Sequence, residues 1–199
     1  MIALKLVSAT YTSRGFTIVA AAADNGFSTL EHNLEFVELH ITLNLATKDD
    51  HEPYIEMFNR IIKEKYKMGI TGVPFTKLPK RMAVELVHAM ILWYNFIILD
   101  DYISNALGPG AIILGRTYDY NILCEQGSKF EENVQTHEKT TINMLTRTVS
   151  VIYLRPSGNT QGSFYYYSLW TGFRLHMRRQ TPLPMPQEVI DRVHHIANR

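Results

Sequence analysis

FTIVAAAADNG, residues 16–26, decides how the rest of the chain is read. Its first eight residues are nearly all apolar and do not alternate with polar ones. That is the pattern of a strand in a parallel sheet covered on both sides. The run stops at one acid, Asp24, and two residues later Gly26 lets the chain turn. A carboxylate at the carboxyl end of such a strand stands where open α/β sheets place their ligands. Asp24 is therefore either a metal ligand or a polar residue opening a loop, and a ligand needs partners.

Upstream, residues 2–12 read as an amphipathic helix closed near Ser13-Arg14-Gly15. Downstream, Leu30, Leu34 and Val37 recur at helical spacing within residues 29–39, and residues 41–45 read as a short strand. Asp49-Asp50-His51-Glu52-Pro53 has the features of a helix start, since acids favour the positive N-terminus and proline fits the first turn. The helix is expected over residues 54–68, with Ile55, Phe58 and Ile62 toward a core. Glu56, Arg60, Lys63 and Lys67 recur at three- and four-residue steps and share the other face. This row is either a solvated face with a Glu56–Arg60 pair or a carboxylate followed by a track of cations.

Residues 69–76 read as a linker, residues 78–98 as a long helix with Met82, Leu86, Ala89, Trp93 and Ile97 on one stripe, and Gly108-Pro109-Gly110 as a loop. Beyond it the period becomes that of strands, at residues 130–137, 148–154, 163–169 and 173–178. Short strands at this spacing predict a small antiparallel barrel. An amphipathic helix is expected over residues 186–197, with Val189, Ile190 and Val193 on one side.

The charges are unevenly placed along these 199 residues, although the net charge is only +1. From Asp24 to Glu56 there are eight acids and one base, and from Arg60 to Arg81 seven bases and one acid. From Lys139 to Gln187 there are six bases and no acid. An acidic patch beside basic stretches fits a metal site next to a polyanion track, or simply an uneven solvated surface. The one cysteine, Cys124, excludes an internal disulfide and any cysteine-rich zinc site, and the chain reads as intracellular and reduced. No run of eighteen apolar residues exists, so no membrane span is expected, and the start lacks the features of a signal peptide. The histidines show no zinc spacing, and neither a G-x-S-x-G elbow nor a G-x-x-x-x-G-K-[ST] loop occurs.

A strand-end aspartate and a helical glutamate, Asp24 and Glu56, are two parts of the acid set that two-metal polynucleotidyl transfer requires. The pair alone is a weak signal. The blocks around it say more: DNGF at 24–27, ITLN at 41–44, HEPYIEMFNRIIKEK at 51–65, PKRMAVELVHAMILWYN at 79–95, GRTYDYN at 115–121, VQTHE at 134–138, RPSGNTQGSFYYYSLWTG at 155–172 and TPLPMPQEVIDRVH at 181–194. In this order they resemble the integrase region of copia-type retrotransposon polyproteins, in the form found in diatoms and other protists.

The resemblance implies an α/β fold: part of a ribonuclease-H-like integrase core over residues 1–70, a helical connector over 71–125, and a small β-barrel with a C-terminal helix over 126–199. It implies that Asp24 and Glu56 are the second and third acids of a D-D-E triad that holds magnesium or manganese. Asn59 and Arg60 match the polar residues after the glutamate, and Lys63, Lys65 and Lys67 would hold phosphates. The implied partner is DNA, both element ends and target, and the implied location is the nucleus. The triad's first aspartate would lie upstream of a helix resembling residues 2–12. The chain is therefore expected to be a fragment or decayed copy, inactive alone and dependent on a missing polyprotein half or on oligomerisation. The alternative is a non-catalytic nucleic-acid-binding module, or a remnant without function.

SFYYYSLW, residues 163–170, places Phe164 and Tyr166 on one face of a strand and Tyr165 and Tyr167 on the other. One set is core and the other is available to stack on bases. Tyr165 and Tyr167 are the expected stacking pair, helped by Arg155, Arg174, Arg178 and Arg179.

Overall fold

The computed structural model describes residues 1–46, 53–98, 104–115, 117, 129–137, 148–159 and 161–198. The chain divides into two compact units, Met1–Lys63 with Asn95–Thr117, and Glu64–Tyr94 with Tyr118–Arg199.

In the first unit, α1 covers Ile2–Thr12. Strand β1 is Ala20–Ala23, half the length that the apolar run predicts. It pairs in parallel with β2, Thr42–Leu45, as the non-alternating pattern implies. Between them lie a 3-10 helix, Asn25–Leu30, and a single turn of α-helix, α2, Leu34–Val37. The longer helix expected at 29–39 is broken because Asn33 is extended and caps α2, its side chain accepting from the Glu35 N–H at 3.0 Å.

Helix α3 spans Pro53–Gly72, so it runs four residues into the expected linker. The acids Asp49 and Asp50 proposed to start it lie outside the described residues. Gly108-Pro109-Gly110 is not a loop but the start of α5, Pro109–Leu114: Gly108 is the N-cap and Pro109 fills the first position. The glycines are needed there because a Cβ at Gly108 or Gly110 would stand under 3 Å from the backbone carbonyls of Phe96 and Asn95.

Among the described residues of this unit few apolar side chains are buried; Phe36, Ile41, Phe96 and Ala111 are. Ile2, Leu6, Val19 and Leu34 are between 70 and 87% exposed. Ile55 and Phe58, expected in a core, are also exposed.

The second unit is built differently. Helix α4, Lys80–Phe96, lies against a five-stranded antiparallel sheet of β3 (Asn133–His137), β4 (Thr148–Pro156), β5 (Phe164–Ser168), β6 (Arg174–Met177) and β7 (Gln180–Pro182). The spatial order is β6-β5-β4-β3-β7, a four-strand meander whose fifth strand returns beside the first. Among the described residues the sheet is open, with β6 and β7 as its edges, so the expected barrel is not closed.

Both faces of this sheet are buried. On one, Ile152, Leu154, Tyr167 and Leu169 pack with Met82 of α4 and Val193 of α6, Gln187–Ala197. On the other, Val134, Val151, Tyr153, Phe164 and Tyr166 pack with Val149, Leu175 and Met177, all of them strand residues among those described. Helix α6 is tied down by Arg192, which donates to the Leu169 carbonyl at 2.8 Å, and by His194 Nε2, which accepts the Thr76 N–H at 3.1 Å.

Candidate nucleic-acid interface

Asp24 ends β1 and is the N-cap of the 3-10 helix; its Oδ1 accepts the Asn25 N–H at 2.7 Å. It is exposed, and this is the loop-opening role left open by the sequence. Glu56 lies exposed in the first turn of α3, as do Asn59, Arg60, Lys63 and Lys67 further along that helix. Among the described residues no three His, Cys, Asp or Glu side chains gather as metal ligands would. With one Asp24 oxygen engaged by backbone and no third acid beside it among the described residues, this donor set does not fit the two-metal site that the resemblance implies.

The structure assembles a different cluster in the second unit. Its centre is Glu85, on the inward stripe of α4 between Met82 and Leu86 and only 4% exposed. A buried carboxylate requires charged partners. Arg155 Nε donates to Glu85 Oε2 and Arg174 Nη1 to Oε1, each at 2.7 Å. Burial alone pushes the Glu85 carboxyl up, but hydrogen bonds and charge from Arg174 and Arg155 outweigh it and hold it below the usual carboxylate range.

A β-bulge makes this meeting possible. Tyr153 pairs with Tyr166 and Arg155 with Tyr165, so Leu154 is an extra residue in β4. Regular alternation would place Arg155 with Val151 and Tyr153, away from α4. The extra residue instead turns it to the Tyr165 side. There the Arg155 and Arg174 guanidinium carbons lie 4.7 and 4.2 Å from the centre of the Tyr165 ring. The third strand, β6, adds His176, whose ring centre is 5.0 Å from that of Tyr165 and whose Nε2 meets the Ser163 hydroxyl.

The roles expected of the tyrosines need correction. Tyr167 is 1% exposed and belongs to the core beneath α4 and α6, so it is not available to a base. Tyr165 is half-buried, and its ring is the platform for two guanidinium groups. On the β5–β6 turn two aromatics are exposed instead: Trp170 is 82% exposed and Phe173 60%. Arg81 at the start of α4 lies over the Phe173 ring, 5.1 Å from its centre. Arg178 and Arg179 follow β6 and are exposed.

Lys80, Arg81, Val84, Glu85 and His88, spaced along one face of α4, line a cleft of about 640 Å³ together with Arg174. Glu85 was legible only as an acid within an apolar helical stripe, which is itself a sign of a buried ion pair. No protein-family model matches the chain, and no curated protein matches it. Among the described residues no helix is long and apolar enough to cross a membrane.

Proposed function

We propose that this chain is a nucleic-acid-binding protein derived from a copia-type integrase, which binds through the α4–β6 side of its second unit and does not join DNA strands by itself. The observation that carries this reading is the locking of Arg155 and Arg174 by Glu85 against Tyr165, next to Lys80 and Arg81. Fixed guanidinium groups suit phosphate oxygens, because their donors are already oriented and lose little freedom on binding. Trp170 and Phe173 supply exposed ring faces on which unpaired bases stack. Burial of both sheet faces, one of them among the described residues by strand side chains, supports a sheet curled toward the small barrel that the resemblance implies.

The poor fit of Asp24 and Glu56 to a two-metal site supports binding without chemistry. The test is anisotropy of labelled single- and double-stranded oligonucleotides across a salt series, with magnesium or with a chelator. Affinity should fall linearly in log–log form with salt and be indifferent to magnesium. Asp24→Asn, which keeps the cap, and Glu56→Gln should leave it unchanged. Absence of binding at low salt, or joining of a labelled end to plasmid DNA, would overturn the reading.

The exposed Ile2, Leu6, Val19 and Leu34 of the first unit favour self-association as a second property. Light scattering over a dilution series reads it directly, and a monomer at every concentration would exclude it.

A further inference from the structure

The α4 cleft has more structure than a basic surface needs. Three cations and one carboxylate line it, an excess of two positive charges. The carboxylate, Glu85, is already bound by Arg155 and Arg174, so it does not repel an incoming anion as a free acid would. Two of the cations are fixed by aromatic faces, Arg174 on Tyr165 and Arg81 on Phe173. Lys80 is exposed at the helix start. The volume, about 640 Å³, falls within the roughly 300–1,000 Å³ of small-molecule sites. Val84 gives the lining one apolar surface, and His88 a polar group one helical turn further along.

This arrangement has a preferred charge for its ligand. An internal phosphodiester carries one negative charge, whereas a phosphomonoester carries close to two at neutral pH. An excess of at least two cations, larger once Arg155 is set against Glu85, favours the second. A monoester also has three terminal oxygens, enough for two guanidinium groups and an ammonium at once. An apolar side chain beside the cations suits a ligand with an organic body rather than inorganic phosphate.

We infer that the cleft between α4 and β6 is a phosphomonoester site, which takes the 5′-phosphate end of a nucleic-acid strand in preference to internal backbone. This rests on the nucleic-acid reading above and adds to it the part of the strand that is held. A free mononucleotide presents the same chemistry, so the experiment separates the two sources.

The full chain is titrated into a single-stranded oligonucleotide labelled at its 3′ end, once with a 5′-phosphate and once with a 5′-hydroxyl. A 5′-mononucleotide and inorganic phosphate serve as competitors. The 5′-phosphate strand should bind roughly tenfold tighter, the effect of one strong charge-assisted contact. Lys80→Ala with Arg81→Ala should abolish that preference without shifting the melting temperature. Arg174→Lys, which keeps the charge and loses the fork, should reduce it. If the double variant is poorly folded, Lys80→Ala alone serves, since that side chain is exposed.

Displacement of the strand by micromolar mononucleotide would support the site and assign it to the free nucleotide. Equal affinity for the two 5′ ends, with strong binding of both, would overturn this inference and leave nucleic-acid binding intact. Absence of binding to either strand with binding of the mononucleotide would overturn the nucleic-acid reading and the strand-end assignment together, leaving a phosphomonoester site for the free nucleotide. Absence of all binding would overturn both.

Discussion

Glu85 of α4 and Arg174 of β6 are joined by a 2.7 Å charge-assisted hydrogen bond across 89 residues of sequence. Arg155 of β4 completes the group on the other carboxylate oxygen. Removing the carboxylate leaves two guanidinium groups facing each other in a half-buried place. Glu85→Ala is expected to destabilise the second unit by about 2–3 kcal/mol, read by urea unfolding. Because the Glu85 carboxyl titrates below its ordinary value, its contribution is complete above that value and is lost as pH falls through the lowered one. The variant's unfolding midpoint should therefore be less sensitive to acid than that of the parent.

Tyr167 and Trp170 are three residues apart and should fail in opposite ways. Tyr167→Ala opens a cavity beneath α4 and α6 and should cost about 3–5 kcal/mol of stability. Trp170→Ala removes an exposed side chain and should change stability by less than about 0.5 kcal/mol. It should weaken single-strand binding by about 1–3 kcal/mol, the worth of one base stacked on an aromatic ring. Thermal melting and oligonucleotide titration of both variants check the pair. A Trp170→Ala protein with full affinity would remove the stacking role.

Glu131 precedes β3 with a φ of 81°, and its N–H donates to the Tyr153 carbonyl at 2.9 Å. Burial pushes its carboxyl up to about 7 from 4.5, against the charge of Lys129. The sign follows from linkage. Below 4.5 the group is neutral in both folded and unfolded chains and has no effect. Between 4.5 and about 7 the unfolded chain ionises first, so the native state loses stability as pH rises. Glu131→Gly removes the half-buried acid and suits the positive φ, so it should stabilise the protein and flatten this part of the pH profile. A series of melting curves from pH 4 to 8 reads both effects.

Gly115 ends α5 with a φ of 64°, its N–H donating to the Ala111 carbonyl at 2.8 Å. A Cβ there would fall within 2.4 Å of the Arg14 guanidinium, which donates to the Leu114 carbonyl. Gly115→Ala should cost roughly 1–2 kcal/mol from the backbone alone, with displacement of Arg14 added. Amide exchange at α1 and α5 would show faster opening of the first unit.

The second unit was largely legible in the sequence because its pattern and its packing agree. Four strands fall within a few residues of where alternation places them, and α4 buries Met82, Leu86 and Ala89 as its stripe requires. Strand β7 was missed because three residues ending in Pro182 show neither alternation nor strand propensity, and only pairing with β3 defines them. The bulge at Leu154 was also invisible, and with it the side of the sheet on which Arg155 appears. The first unit was less legible. Its apolar residues predict burial on both sides of a parallel sheet, yet Val19 and Leu34 are exposed. Of the candidate site, Arg174 and Tyr165 were found from charge and aromaticity alone. Glu85 stood out only as an acid on an apolar stripe, and its partners and the cleft depend on contacts across 70 and 89 residues that no local pattern encodes.

The two sheets have unlike borders. The outer strands of the larger sheet discourage further pairing: β7 carries Pro182, with Pro184 close behind, and β6 carries Arg174 and His176, with Arg178 and Arg179 following. The alanine strand β1 has no charge and no proline among its four residues, and it follows directly on the exposed Val19. At high concentration, then, the smaller sheet is the one expected to adhere and the larger one to stay guarded. Any growth of fibrous deposits is expected to start from the alanines, with the second unit carried into them still folded.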